Sequence, residues 1–100
     1  MGPTKEEILE ALKQVYDPEI PVDIVNLGLV YAVEISEGQV GVTMTTTSPG
    51  CPVGDYLATE VERVLRRVKE IKAVRVEFVW DPPWTPEMMS AEGKQRLGWG

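Results

Sequence analysis

The chain has 100 residues, 43% of them hydrophobic and 26% charged, which is room for one ordinary globular domain spanning 1–100 and no second one. Sixteen carboxylates against 10 cations leave a net charge of −6, which argues against a phosphate-backbone partner. No apolar stretch approaches the ~20 residues of a membrane span, so neither nucleic acid nor membrane is expected as a partner. The two basic clusters, Arg63-Arg66-Arg67-Lys69 and Lys94-Arg96, read as solvated helix faces. A lone cysteine excludes an internal disulfide and suits a reducing, cytoplasmic setting.

Thr4 followed by Glu7 is a capping box that opens a helix. Ile8, Leu9, Leu12, Val15 and Tyr16 recur at helical spacing and predict one apolar stripe, ended at Asp17-Pro18. With Pro18 and Pro21, the stretch from Asp17 to Asn26 is predicted irregular or only briefly helical. Leu29–Ser36 and Gln39–Thr46 read as strands joined by a hairpin at Glu37-Gly38. In the second, Val40, Val42 and Met44 alternate with Gly41, Thr43 and Thr45, giving one apolar and one hydroxyl-rich face.

Thr46-Thr47-Ser48-Pro49-Gly50-Cys51-Pro52 reads as a tight, rigid loop, with Pro52 at the first position of the following helix. Val53, Leu57, Val61, Val64, Leu65 and Val68 mark that helix. Ala73–Trp80 is predicted as a third strand with Val74, Val76, Phe78 and Trp80 on one face. Its helical crossover implies a parallel neighbour. A short third helix is expected from Thr85-Pro86-Glu87. The fold class is therefore α/β (α+β): order α-β-β-α-β-α, a two-layer sandwich with a mixed three-stranded sheet and helices on one face.

Histidine is absent, which excludes Ser-His-Asp and Cys-His catalysis within the chain and makes a tetrahedral zinc site untenable. Four thiolates for a cluster are not available either. Cys51 has two readings. As a lone cysteine it fits a small buried hydrophobe. Set between Gly50 and Pro52 at the mouth of a helix, it also fits a soft metal ligand. A helix N-terminus offers an anion roughly 0.3–1 kcal/mol, less than one pKa unit, so Cys51 is not a primed nucleophile. Asp17 and Glu19 read either as turn chemistry or as hard oxygen donors sharing a pocket with the thiol, a mixture that suits iron. Thr46, Thr47 and Ser48 would add hydroxyls to the same loop. Gly28 reads as a backbone position that permits a tight approach to the first strand.

Four motifs in this order resemble the SufT/PaaD-like family of metal–sulfur cluster biosynthesis: Asp17-Pro18-Glu19-Ile20-Pro21, Asn26-Leu27-Gly28-Leu29-Val30-Tyr31, Thr47-Ser48-Pro49-Gly50-Cys51-Pro52 and Trp80-Asp81-Pro82-Pro83-Trp84. The resemblance runs from Ile8 to Leu97 and implies an iron–sulfur assembly type of fold with Cys51 in a cleft beside Asp17 and Glu19, Thr47 and Ser48 preceding it. It implies a non-enzymatic maturation adaptor or carrier whose metal ligand would be Cys51. No tightly bound cofactor is expected, only a transient iron–sulfur cluster. The implied partners are the iron–sulfur assembly machinery and apo-protein clients, with a homodimer or small homo-oligomer as the working form. The alternative is an accessory subunit of a multicomponent, phenylacetate-type oxygenase system. A third reading, an enzyme with Cys51 as nucleophile, lacks a histidine or neighbouring cation to activate the thiol.

Overall fold

The structure, a computed structural model, describes residues 3–18, 20–47 and 53–98. Helix α1 covers Lys5–Leu12 and opens as its sequence demands. The Thr4 hydroxyl accepts the Glu7 N–H at 3.2 Å, and the Glu7 carboxylate accepts the Thr4 N–H at 3.1 Å. Two otherwise orphaned donors are thereby satisfied. Ile8, Ala11 and Leu12 face the core.

The helix is shorter than the apolar stripe suggests. A proline at 18 would collide with the Gln14 carbonyl in a continuing helix, and Asp17 before it is driven out of the helical region. The chain leaves the helix after Leu12, passes through a turn at Lys13 and Gln14, and is out of helical structure from Val15 on. Val15 stays in the core from that non-helical backbone, while Tyr16 turns out to solvent at 45% exposure. Beyond it the stretch to Asn26 is irregular, as its prolines require, with one isolated bridge between Tyr16 and Asp23.

Three strands follow the predicted order: β1 Val30–Ser36, β2 Gln39–Met44 and β3 Ala73–Phe78. The sheet order is β1-β2-β3, with β1 antiparallel to β2 and β3 parallel to it, so the sheet is mixed. At the β1–β2 turn both Glu37 (φ 49°) and Gly38 (φ 83°) take positive φ, the two-residue hairpin geometry that matches strand twist. All three strands stop short of their sequence-based limits. The Thr45 N–H turns to the Leu29 carbonyl at 2.9 Å, where the β1–β2 register is irregular between Val30 and Ala32. β3 likewise ends at Phe78, and Trp80, two residues on, lies beyond the strand and is 46% exposed.

Helix α2, Val53–Leu65, joins β2 to β3 and buries Leu57, Val61, Val64 and Leu65. Val68 lies past the helix, in a tight turn that brings the chain to β3. Both helices pack on the face of the sheet that carries Val40, Val42 and Met44. Each such fully buried side chain contributes about 1.5–3 kcal/mol against exposure. Among the described residues no helix lies over the opposite face, with Glu34, Gly41, Thr43, Arg75 and Glu77.

The predicted third helix is in fact two pieces. A single 3-10 turn, Pro86–Met88, is followed by extended Met89 and then by helix α3, Ala91–Arg96. The break occurs because the backbone there is claimed from outside. The Ser90 N–H bonds to the Asn26 carbonyl at 2.8 Å, and the Ser90 hydroxyl caps α3 by accepting the Gly93 N–H at 3.0 Å.

Candidate functional site

Asp17 sits in the bend that follows α1 and is only 3% exposed. One carboxylate oxygen accepts the N–H of Ile20, three residues on, at 3.2 Å, a side-chain-to-backbone bond that closes the bend at Pro18. The Asp17 N–H bonds to the Val22 carbonyl at 3.3 Å. This bend is tied to the sheet by successive backbone bonds: Ile24 N–H to Val15 C=O at 2.9 Å, Leu29 N–H to Ile24 C=O at 3.0 Å, and Thr45 N–H to Leu29 C=O at 2.9 Å. The acidic bend and the end of β2, from which the chain leaves toward Cys51, therefore belong to one backbone ladder.

At that end of β2, Thr45 and Thr46 are buried and Thr47 is half-buried. The Trp80 indole N–H donates to the Thr46 hydroxyl at 3.3 Å. Phe78 stacks on Trp80, with ring centroids 6.2 Å apart and planes 19° from parallel. A Cβ on Gly54, in the first turn of α2, would stand 3.9 Å from both the Phe78 ring and the Thr46 methyl. Residues on both sides of the cysteine-bearing loop thus rest on the same aromatic pair. Glu19, Ser48 and Cys51 themselves lie outside the described residues. Of the residues singled out from the sequence for this site, Asp17, Thr46 and Thr47 are the ones the structure describes.

A second polar cluster lies close by and was not legible as a unit in the sequence. Asp23, 2% exposed, accepts the N–H groups of Val25 and Asn26 at 3.1 and 3.0 Å and the Asn26 side-chain amide at 2.7 Å. Asn26 in turn meets the Ser90 hydroxyl and the Glu92 carboxylate. Arg96 closes the cluster, 3.7 Å from Asp23 and 3.2 Å from Glu92. The available signal was Asp followed three residues later by Asn, a side-chain cap, and Ser90 three before Gly93. Nothing local connects the two halves. Gly28 supports the same junction: its φ is +80°, and a Cβ there would collide with the Met88 carbonyl. Trp84 donates its indole N–H to the Leu27 carbonyl at 2.6 Å, and Tyr31 its hydroxyl to the Pro82 carbonyl at 2.8 Å. The two motifs flanking these residues therefore lock the C-terminal segment onto the approach to β1.

Among the described residues no three carboxylate, thiol or imidazole groups are gathered closely enough to hold a metal ion. No helix among them is long and apolar enough to cross a membrane. What the described part offers is a buried oxygen donor at Asp17 and a hydroxyl-rich end of β2, in a chain whose one thiol lies between β2 and α2.

This mixed sheet with helices on one face is an architecture that solved structures of small domains share. The chain superposes on the crystal structure of a domain of unknown function from Bacillus anthracis with a TM-score of 0.90 and 43% identity, covering 94% of this chain and 91% of that one. The iron–sulfur cluster assembly protein family matches residues 5–78, and the chain belongs to that family. It is 50% identical over 95 residues to the Fe-S protein maturation auxiliary factor YitW of Bacillus subtilis, covering 94% of this chain and 93% of that protein. It is 51% identical over 85 residues to the Fe-S protein maturation auxiliary factor SufT of Staphylococcus aureus, covering 84% of this chain and 97% of that protein.

Proposed function

We propose that the protein is an iron–sulfur protein maturation factor that works as an adaptor or carrier, receiving a cluster from the assembly machinery in the cytoplasm and passing it to apo-protein clients. The cluster is cargo, held transiently, and no covalent chemistry of the chain's own is required. In this reading Cys51 is the soft ligand, Asp17 and Glu19 are hard ligands or orienters, and Thr47 and Ser48 donate hydrogen bonds beside them. With no histidine and a single thiol in the chain, the remaining ligands must come from a partner, a small thiol or a second copy.

The observation that carries this reading is the backbone ladder from Val15 through Ile24 and Leu29 to Thr45. It fixes a buried carboxylate in one rigid unit with the strand that leads to the cysteine. Family membership over residues 5–78 supports the cargo.

The test is anaerobic reconstitution with iron and sulfide, followed by transfer to an apo-acceptor, for the wild type and for Cys51→Ser. The variant is expected to take up and transfer cluster at a level at least tenfold lower, about 1.4 kcal/mol of lost binding. Equal uptake and equal transfer would remove the thiol from the mechanism.

A further inference from the structure

We propose that the outer edge of β3 is a self-complementary surface through which two copies of this chain pair, antiparallel and centred on Val76, into one continuous six-stranded sheet. The inference is independent of the cluster-handling reading, since it uses none of the proposed ligands or hydroxyl donors.

The backbone supplies the first observation. Among the described residues β3 has β2 on one side and no strand on the other. The N–H groups of Ala73 and Val79 turn toward β2, bonding the Gly38 and Met44 carbonyls at 3.3 and 2.9 Å. Strand alternation then directs the N–H and C=O groups of Val74, Val76 and Phe78 away from β2, along the free edge. None of them has a hydrogen-bond partner among the described residues.

The backbone protections of a free edge are missing here. No proline, glycine or bulge interrupts Ala73–Phe78, whereas the opposite edge strand, β1, is irregular between Val30 and Ala32. The core-facing side chains of β3 are also incompletely covered. Val74, Val76 and Phe78 are half-buried, while Val40, Val42 and Met44 on the central strand are no more than 1% exposed. A second sheet continuing past this edge would cover them.

Charge then selects the register. In a two-fold antiparallel pair centred on Val76, Arg75 lies opposite the other copy's Glu77, and Glu77 opposite its Arg75. Val76 meets Val76, and Val74 meets Phe78. The outward-directed residues Val74, Val76 and Phe78 then fall at the hydrogen-bonded positions, giving about six backbone bonds. Arg75 and Glu77 fall at the closer, non-hydrogen-bonded positions, where opposite charges attract across the strands. Centring on Arg75 would instead oppose two arginines, and centring on Glu77 two glutamates. Neither Arg75 nor Glu77 has an ion-pair partner among the described residues. Arg75 lies across Gly41, with Nη2 3.7 Å from where a Cβ would stand, so pairing asks only for a change of side-chain rotamer.

The experiment is sedimentation velocity on the full chain across a concentration series, for the wild type, Arg75→Glu, Glu77→Arg and the double exchange. Each single reversal puts like charges opposite one another at both cross-strand positions and is expected to raise the dimer Kd about tenfold. The double exchange restores opposite charges in the same register and should return the Kd to near the wild-type value. Both positions are exposed, so far-UV circular dichroism should be unchanged in all four proteins. A wild type that stays monomeric throughout would overturn the proposal. So would a dimer indifferent to the single reversals, or a double exchange that fails to restore it. Cys51→Ser should dimerise like the wild type, which separates failure of this surface from failure of the cluster-handling reading.

Discussion

Asp17 and Asp23 stand in the same irregular stretch and are buried alike, at 3% and 2% exposure, yet the fold uses them differently. Asp23 accepts from two backbone N–H groups and a side-chain amide in its own turn and faces Arg96 from α3. It is the joint between the approach to β1 and the C-terminal segment. Asp17 shapes the bend it occupies, through Ile20, and that bend is laced to the end of β2. Burial of a carboxylate therefore does not by itself mark chemistry. What its oxygens hold together, and which chain segment they lead to, distinguishes a joint from a candidate ligand.

The hardest test of that contrast is Asp23→Ala. Removing an acceptor that satisfies three donors leaves buried N–H groups unpaired at about 1–3 kcal/mol each, softened by relaxation to a net loss of about 3 kcal/mol. For a domain of this size that is a fall in Tm of about 12–24 °C, read by thermal unfolding. A loss under about 1 kcal/mol would mean that the C-terminal segment is held by its apolar contacts alone.

Asp17→Asn should separate the two roles. The amide keeps the shape and the acceptor oxygen for the Ile20 N–H, so stability is expected to change by about 1 kcal/mol or less. Cluster transfer in the anaerobic assay should fall severalfold, because a neutral amide is a poorer hard ligand than a carboxylate. If Asp17→Asn unfolds the protein as readily as Asp23→Ala, Asp17 is a joint as well and the contrast disappears.

Much of this was legible in the sequence because the signals are local. Thr4 and Glu7 announce the first helix, Glu37-Gly38 the hairpin, and the alternation of Val40, Val42 and Met44 the buried face of the sheet. The element ends were less legible, since they depend on distant partners. The Thr45 N–H deserts the strand for Leu29, and the Ser90 N–H is claimed by Asn26, which splits the last helix from the turn before it. The Asp23–Asn26–Ser90–Arg96 cluster is of the same kind: each residue is ordinary alone, and only the fold brings them together. Within the candidate site, the proline at 18 fixes the Asp17 bend from local chemistry. Its connection to the end of β2 runs through three successive backbone bonds that no periodicity encodes.

The gentlest probe of the C-terminal joint is Tyr31. Its hydroxyl donates to the Pro82 carbonyl at 2.8 Å, so Tyr31→Phe should cost about 1 kcal/mol near neutral pH. Burial pushes the Tyr31 phenol above the ordinary tyrosine value of about 10. Folding thus favours the protonated hydroxyl, which is also the form that can donate. Its contribution is complete below the unfolded value near 10 and drains away as pH rises through the higher folded value. Urea unfolding of both proteins from about pH 8 to pH 11 should show the wild type losing its advantage on the alkaline side, while the Phe variant lacks that particular loss. A stability difference that stays constant over the whole range would mean that the hydroxyl is solvated and that the aromatic ring is what holds this end of the joint.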